Sequence, residues 1–425
     1  MIAWFYRVLT VLAGPLVPLL LKRRARRGKE VPERRRERLG RAARPRPAGR
    51  LIWVHGASVG ETLSMLILIE ALLTRDRALS VLVTTQTVTA ARLMVERLPE
   101  GAFHQFVPVD RPAYARRFLD HWRPDAVLWV ESELWPNLLD AIGRRGIPAA
   151  LVNARMSARS ARRWRRAAGF FRHVTGTFAL VQPSGRETAD RLASLGVTRL
   201  GPVGNLKFAA VPPAAEPEAL AALRAALGER PVWLAASTHP GEEEVCLEAH
   251  RRLLAALPDA LLILVPRHPE RGAAVAALCE ARDLTATRRH LGTLPGLGQA
   301  VYIADTLGEL GLFFRVAPLA FIGGSLVEIG GHNPIEPALL GCAILTGPHV
   351  ANFQEVYAGL MEERAALTVD SAEAMGETVA RLLAAPDETA AMAGRARQAA
   401  ERQRGILDRL LAALAPLLPR GGSAA

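Results

Sequence analysis

Short apolar runs alternate with amphipathic segments along most of this chain. In the first half the runs are LIWVHG, LSVLVTT, FHQFVPVD, DAVLWVES, PAALVNA and FALVQP; in the second they are PVWLAAST, ALLILVPRH, AVYIAD, APLAFIGGS and CAILTG. Runs this short, bounded by turn residues, predict strands. The stretches between them, such as 113–122 and 187–195, carry helical periodicity. Strands alternating with helices predict an α/β architecture with parallel sheets covered on both faces. The rhythm breaks over residues 203–219, VGNLKFAAVPPAAEPEA, and then resumes. Such a proline- and alanine-rich break predicts a link between two Rossmann-like domains of similar size. The division expected is 28–205 for the first domain, 206–219 for the linker and 220–425 for the second with its terminal helices. A final helix returning to the first domain is left open.

The amino terminus breaks the pattern differently. Residues 1–27, MIAWFYRVLTVLAGPLVPLLLKRRARR, put an aromatic cluster before an apolar stretch and a basic cluster after it. An apolar stretch of about 20 residues is long enough to span a bilayer as a helix. The order of aromatic, apolar and basic residues suits a membrane interface with the basic side in the cytoplasm. Arg7, Gly14, Pro15 and Pro18 weaken the spanning form, so an anchor and an interfacial helix both stand, with a helix packed on the protein's own domain as the alternative. A cleaved signal peptide is disfavoured, because the basic block follows the apolar part. Residues 34–50, basic and proline-containing, read as a connector.

Composition adds two points. The chain of 425 residues carries a formal net charge of +13, which suggests an anionic partner; a GC-rich genome would give the same arginine bias. Aromatic content is 5%, and no RNA- or DNA-binding signature accompanies the charge, so a nucleic-acid-binding protein is disfavoured. Cys246, Cys279 and Cys342 lie far apart, which argues against a zinc site or disulfide framework and suits a reducing compartment.

In open α/β sheets ligands bind beyond the carboxyl ends of the strands. Unusual polar residues fall there repeatedly: His55 to Glu61, then Glu131 with Glu133, then Asn153 with Arg155. In the second half come Ser237 to His239, Arg267 with His268, Asp305 to Glu309, and the Gly323-Gly324-Ser325 turn. Their recurrence in both halves predicts one cleft between the domains. GASVG lacks the full G-x-G-x-x-G spacing, which argues against a nicotinamide site. Glu61, in the first turn of the next helix, is equally a capping residue or a general base. Glu131 and Glu133 share a face if the strand continues through them. They then form a carboxylate pair; otherwise one is a helix N-terminal acid and the other a surface acid. NPIEPA starts a helix whose N–H groups and Glu336 suit phosphate and ribose recognition; the alternative is a buried glycine-rich turn of structural purpose.

HGASVGE, WVESELWPNLL, GNLKF, STHPGEEE, VPRHPER, DTLGELG, GGSLVEIGGHNPIEPA and GPHVANFQE, taken together and in this order, are similar to the signatures of 3-deoxy-D-manno-oct-2-ulosonic acid (Kdo) transferases. The resemblance runs from about residue 50 to 357 and extends to the amino-terminal hydrophobic segment. It implies a GT-B glycosyltransferase, with two Rossmann-like domains and a deep cleft. Such an enzyme moves Kdo from CMP-Kdo to the acylated glucosamine disaccharide bisphosphate that precedes lipid A. It would act in lipopolysaccharide biosynthesis at the cytoplasmic side of the inner membrane. By the same resemblance Glu61 is the base, and Glu131 and Lys207 stabilise the transition state. Arg267 and His268, Gly308, Glu309 and Leu310, and Asn333, Pro334, Ile335 and Glu336 bind CMP-Kdo. No cofactor and no metal are implied, and the partners are CMP-Kdo, the lipid A precursor and an anionic membrane surface. A nucleotide-sugar 2-epimerase is the nearest rival; it leaves the hydrophobic amino terminus and the SVGE motif unexplained.

Overall fold

A computed structural model describes residues 2–57, 59–131, 133–209 and 212–419. The chain divides into two compact units, one of Met1–Ala209 with Gly405–Ala425, the other of Ala210–Arg404. Each contains one parallel sheet with helices on both faces.

The first sheet comprises β1 (Leu51–His55), β2 (Ser80–Thr85), β3 (Ala102–Phe106), β4 (Ala126–Val130), β5 (Ala149–Ala154) and β6 (Leu180–Pro183). Their order is β3-β2-β1-β4-β5-β6, the Rossmann order, in which the direction of winding reverses between β1 and β4. Every residue of β1 and β4 is buried, as expected of strands covered on both faces. One face packs Trp53, Trp129, Phe118 and Trp122 into an aromatic core. The other packs Val54, Met65 and Ile69 against Ile406, Leu410, Leu411 and Leu414.

That second face corrects the expected division. The helix Ile406–Leu414 belongs to the first unit, not to a domain running to residue 425. Its leucines complete a core that the first 209 residues leave uncovered. The expected linker also starts too early, because Leu206–Ala209 forms a buried 3-10 turn in the same core.

The amino terminus is two helices, Ile2–Leu12 and Val17–Arg26, rather than one. A bend of 46° separates them, at the Gly14 and Pro15 that open a 3-10 turn; proline lacks the N–H that would continue the helix. Among the described residues no single helix is long and apolar enough to cross a membrane, but the bent pair meets that test by length and composition. Tyr6 donates to Asp110 Oδ2 at 2.9 Å, and Asn137 donates to Thr10 Oγ1 at 2.9 Å. Val17 and Leu21 pack on Tyr114. Ile2, Trp4, Phe5, Leu9, Leu12, Leu16, Leu19 and Leu20 stay exposed. The connector that follows is partly built into the unit. Arg38 is buried, paired with Glu30 at 2.9 Å, and both Arg34 and Arg38 lie over the Phe106 ring at 4.6 Å.

The second sheet comprises β7 (Val232–Thr238), β8 (Leu261–Pro266), β9 (Ala286–Arg288), β10 (Val301–Ile303), β11 (Leu319–Ile322), β12 (Ala343–Thr346) and β13 (Ala366–Thr368). Their order is β13-β12-β11-β7-β8-β10-β9, so the reversal falls between β7 and β11. Trp233, Phe321, Leu262 and Leu345 anchor its core. Cys246, Cys279 and Cys342 are free and buried.

Candidate functional site

In the first unit the candidate residues gather at the β1–β4 reversal. The chain leaves β1 through Gly56, where a Cβ would lie 2.3 Å from Met65 Sδ and 3.1 Å from Glu61 Oε2. Only glycine lets the backbone pass so close to the carboxylate. Glu61 is buried in the first turn of the helix Val59–Arg75, and its Oε2 accepts the Ala57 N–H. This bond to the turn before the helix fixes the carboxylate at the sheet edge. Ser58, between them, lies outside the described residues.

Glu131 follows β4 directly and adopts φ 64°, with its N–H bonded to Val152 O at 2.9 Å. This left-handed backbone ends the strand at Val130. Glu131 is buried while Glu133 is exposed, so the two carboxylates do not share a face as an extended strand would have required. Glu131 Oε2 lies 3.6 Å from Arg155 Nη1, and Oε1 lies 3.5 Å from Asn153 Nδ2.

Asn153 organises the neighbourhood. It is fully buried at φ 52°, where the β5–β6 register shifts. Its Nδ2 donates to Ser64 Oγ at 3.2 Å, and its Oδ1 accepts the Leu206 N–H at 3.1 Å. Gln182 Oε1 accepts its backbone N–H at 2.8 Å. One amide thus ties the Glu61 helix, Glu131 and the turn that carries the buried Lys207. Sequence reading placed Asn153 and Arg155 at the sheet edge but missed Ser64 and Gln182, which carry no motif. His55, below this edge, is fully buried with Nδ1 2.8 Å from Thr84 Oγ1. Burial pushes its pKa down to about 3, so at neutral pH it is an uncharged ring packed 4.2 Å from Trp129.

The second unit repeats the device at its own reversal. Ser237, where the β7–β8 register shifts, has φ 57°. A Cβ on Gly323 would lie 2.4 Å from Ser237 O, so the loops after β7 and β11 touch backbone to backbone. Glu242, fully buried, binds them together. Its Oε2 accepts the N–H groups of His239 at 3.0 Å and Gly324 at 2.7 Å; Oε1 accepts those of Ser325 and Leu326, both at 2.9 Å. Four N–H donors explain how an acid persists in this core. The sequence showed its motif but not this role.

Above this frame His239 and His332 stack at 5.1 Å, their Nε2 atoms 2.8 Å apart, and His268 meets His239 edge-on at 6.1 Å. Burial, then the charges of His239, Arg267 and His268, push His332 down to about 4. Arg267 and His268 are exposed beside the pair. Asn333 donates to Glu336 Oε1 at 3.0 Å, and its Oδ1 accepts the Ile335 N–H at 3.0 Å. Burial raises the Glu336 pKa, partly offset by Asn333. Arg267 and His268 therefore lie beside one histidine cluster, and Asn333 and Pro334 follow its His332 into the short helix Ile335–Leu339, which starts with Ile335 and Glu336. Gly308, Glu309 and Leu310 stand apart in the described contacts. Gly308 turns with φ 80°, and Glu309 is held by Arg289 through bonds of 2.7 and 3.2 Å. Arg289 holds the Glu309 carboxyl below its ordinary pKa. Among the described residues no group of three or more His, Cys, Asp or Glu is placed to hold a metal ion.

A family model described as 3-deoxy-D-manno-octulosonic-acid transferase (kdotransferase) matches residues 33–210. The 3-deoxy-D-manno-octulosonic acid transferase of Haemophilus influenzae is 35% identical over 424 residues, 98% of this chain and 99% of its own. The C-terminal CMP-Kdo binding domain of WaaA from Acinetobacter baumannii is 34% identical, covering 43% of this chain and 96% of its own, with a TM-score of 0.41. UDP-GlcNAc 2-epimerase from Neisseria meningitidis, bound to UDP-GlcNAc, is 14% identical with a TM-score of 0.52. It covers 86% of this chain and 100% of its own, a likeness of fold alone, of the GT-B kind. Identity at the level of the Haemophilus protein, sustained along nearly the whole of both chains, is kinship: this chain belongs to the 3-deoxy-D-manno-octulosonic acid transferase family.

Proposed function

We propose that this protein is an inverting glycosyltransferase that moves Kdo from CMP-Kdo to a hydroxyl of the acylated glucosamine disaccharide bisphosphate preceding lipid A. The observation that carries this reading is the match to a Kdo transferase along 98% of the chain. In this reading the Glu61 carboxylate, oriented by the Ala57 N–H, takes the proton from the acceptor hydroxyl. The oxygen forms its bond to the anomeric carbon as the bond from that carbon to the CMP phosphate breaks, its electron pair leaving with CMP. Lys207 offsets charge on the departing phosphate, and Glu131, held by Asn153 and Arg155, assists the transition state. Arg267 and His268 face the nucleotide phosphate, Glu336 accepts from the ribose hydroxyls, and the Gly308–Leu310 turn completes the nucleotide site. The protein works at the cytoplasmic side of the inner membrane. The exposed apolar face of its amino-terminal helices, followed by Lys22 to Arg27, supports this placement.

The test is to mix the purified protein with CMP-Kdo and the precursor, following CMP release and the mass of the lipid product. CMP release coupled to a lipid heavier by Kdo is the expected result. An unchanged lipid with intact CMP-Kdo would reject the reading.

A further inference from the structure

A cavity of about 380 Å³ lies between the helices Ile2–Leu12, Pro112–Trp122 and Pro136–Arg144. Arg7, Arg111, Arg116, Arg144 and Arg145 line it, with Asp140 as the acid in the lining. Asp140 serves Arg7 at 3.5 Å and Arg144 at 3.0 Å, and Arg145 pairs with Asp120 outside the cavity. Arg111 and Arg116 have no acidic partner among the described residues. Arg111 Nε is buried without an acceptor. Its guanidinium is pressed on Gly14, where a Cβ would come within 2.4 Å of Cζ. Arg111 is half-buried and its guanidinium also lies 5.1 Å from the centre of the Tyr114 ring, but an N–H buried without an acceptor is costly, and like charges around one cavity repel. An anion relieves both. The helix Pro112–Trp122 starts here with no side-chain cap, which adds its own positive end.

The cavity also has an apolar border. Val11 lines it, and the helix that supplies Arg7 exposes Trp4, Phe5, Leu9 and Leu12. We propose that this cavity binds a phosphomonoester carried on a lipid, with Arg111 and Arg116 as its main contacts. Guanidinium forks match phosphate oxygens in pairs, and the neighbouring apolar helix receives the acyl part. The lipid half of the proposal rests on the reading of that helix as membrane-facing; the phosphate half does not.

The test is calorimetric titration of the full-length protein with dihexanoyl phosphatidic acid, dihexanoyl phosphatidylglycerol and inorganic phosphate. Phosphatidic acid is expected to bind at least ~10-fold more tightly than either of the others. Arg111→Gln with Arg116→Gln should weaken it by at least ~10-fold, and the exposed Arg116→Gln alone by about 3-fold. Asp140→Asn, which removes the competing acid, should tighten it by about 3-fold, a gain that misfolding does not produce. Phosphatidic acid affinity unchanged in the double variant, or unmeasurable in the unmodified protein, overturns the site. Inorganic phosphate binding as tightly as phosphatidic acid overturns the lipid half. Sedimentation with phosphatidylcholine–phosphatidylglycerol vesicles reads the membrane placement separately. Protein that stays in the supernatant yet binds phosphatidic acid through Arg111 and Arg116 keeps the phosphate half and loses the lipid half.

Discussion

Glu61 answers two demands with one carboxylate. It receives the Ala57 N–H at the start of its helix, and in the proposed reaction it accepts the acceptor's proton. Glutamine keeps a carbonyl oxygen for the first task and loses the basic oxygen for the second. Glu61→Gln is therefore expected to lower turnover by roughly 10²–10⁴-fold, with a melting temperature close to that of the unmodified protein and unchanged CMP binding. A purely capping glutamate predicts a stability loss of about 1 kcal/mol with normal turnover. Measuring both properties on one preparation separates the two. Glu131, Asn153 and Ser237 show what residue chemistry does not announce. Each is a non-glycine residue with positive φ at a strand end, a conformation that costs on the order of 1–3 kcal/mol. Long-range hydrogen bonds hold Asn153 there, and no local sequence signal encodes them. The paired-carboxylate alternative for Glu131 and Glu133 failed for the same reason: it assumed ordinary strand geometry, and the backbone reverses its hand at Glu131.

Among the elements, strands carrying an apolar run were legible, and two short, partly exposed edge strands were not. The apolar runs mark β1 to β8 and β10 to β12: most of these are packed between neighbours and apolar on both faces, and even the edge strands β3 and β6 carry such a run. The three-residue edge strands β9 and β13 are partly exposed, so neither needs such a run. The carboxyl-terminal helix was legible as a helix but not in its address, since a leucine stripe does not name the core it fills. Leu410 is fully buried there, among Val54, Met65 and Ile69 of the first unit. Leu410→Ala is expected to cost about 2–5 kcal/mol, read as a lower denaturant midpoint for the transition that exposes Trp53 and Trp129. A shift of a few tenths of a kcal/mol would place the helix outside that core.

At the scale of the whole molecule, two sheets with two separate cores share one chain that leaves the first unit once and returns to it. Apart from Lys207, which is proposed to act on the phosphate as it departs, the proposed nucleotide residues all lie in Ala210–Arg404, whereas the last helix belongs with Met1–Ala209. A ligand and a truncation should therefore act on different cores. A ligand that binds only the folded form stabilises it by about 2.7 kcal/mol at 100 times its dissociation constant. In a unit of this size that raises the melting temperature by roughly 5–10 °C. Differential scanning calorimetry with CMP at that excess is expected to move one transition upward by this amount and leave the other in place. Ending the chain at residue 404 uncovers the apolar face formed by Val54, Met65 and Ile69, so it should lower the transition that CMP does not move. The CMP-responsive transition should remain where it was. If CMP raises both transitions equally, or truncation lowers the responsive one, the assignment of the nucleotide residues and the last helix to separate cores is wrong.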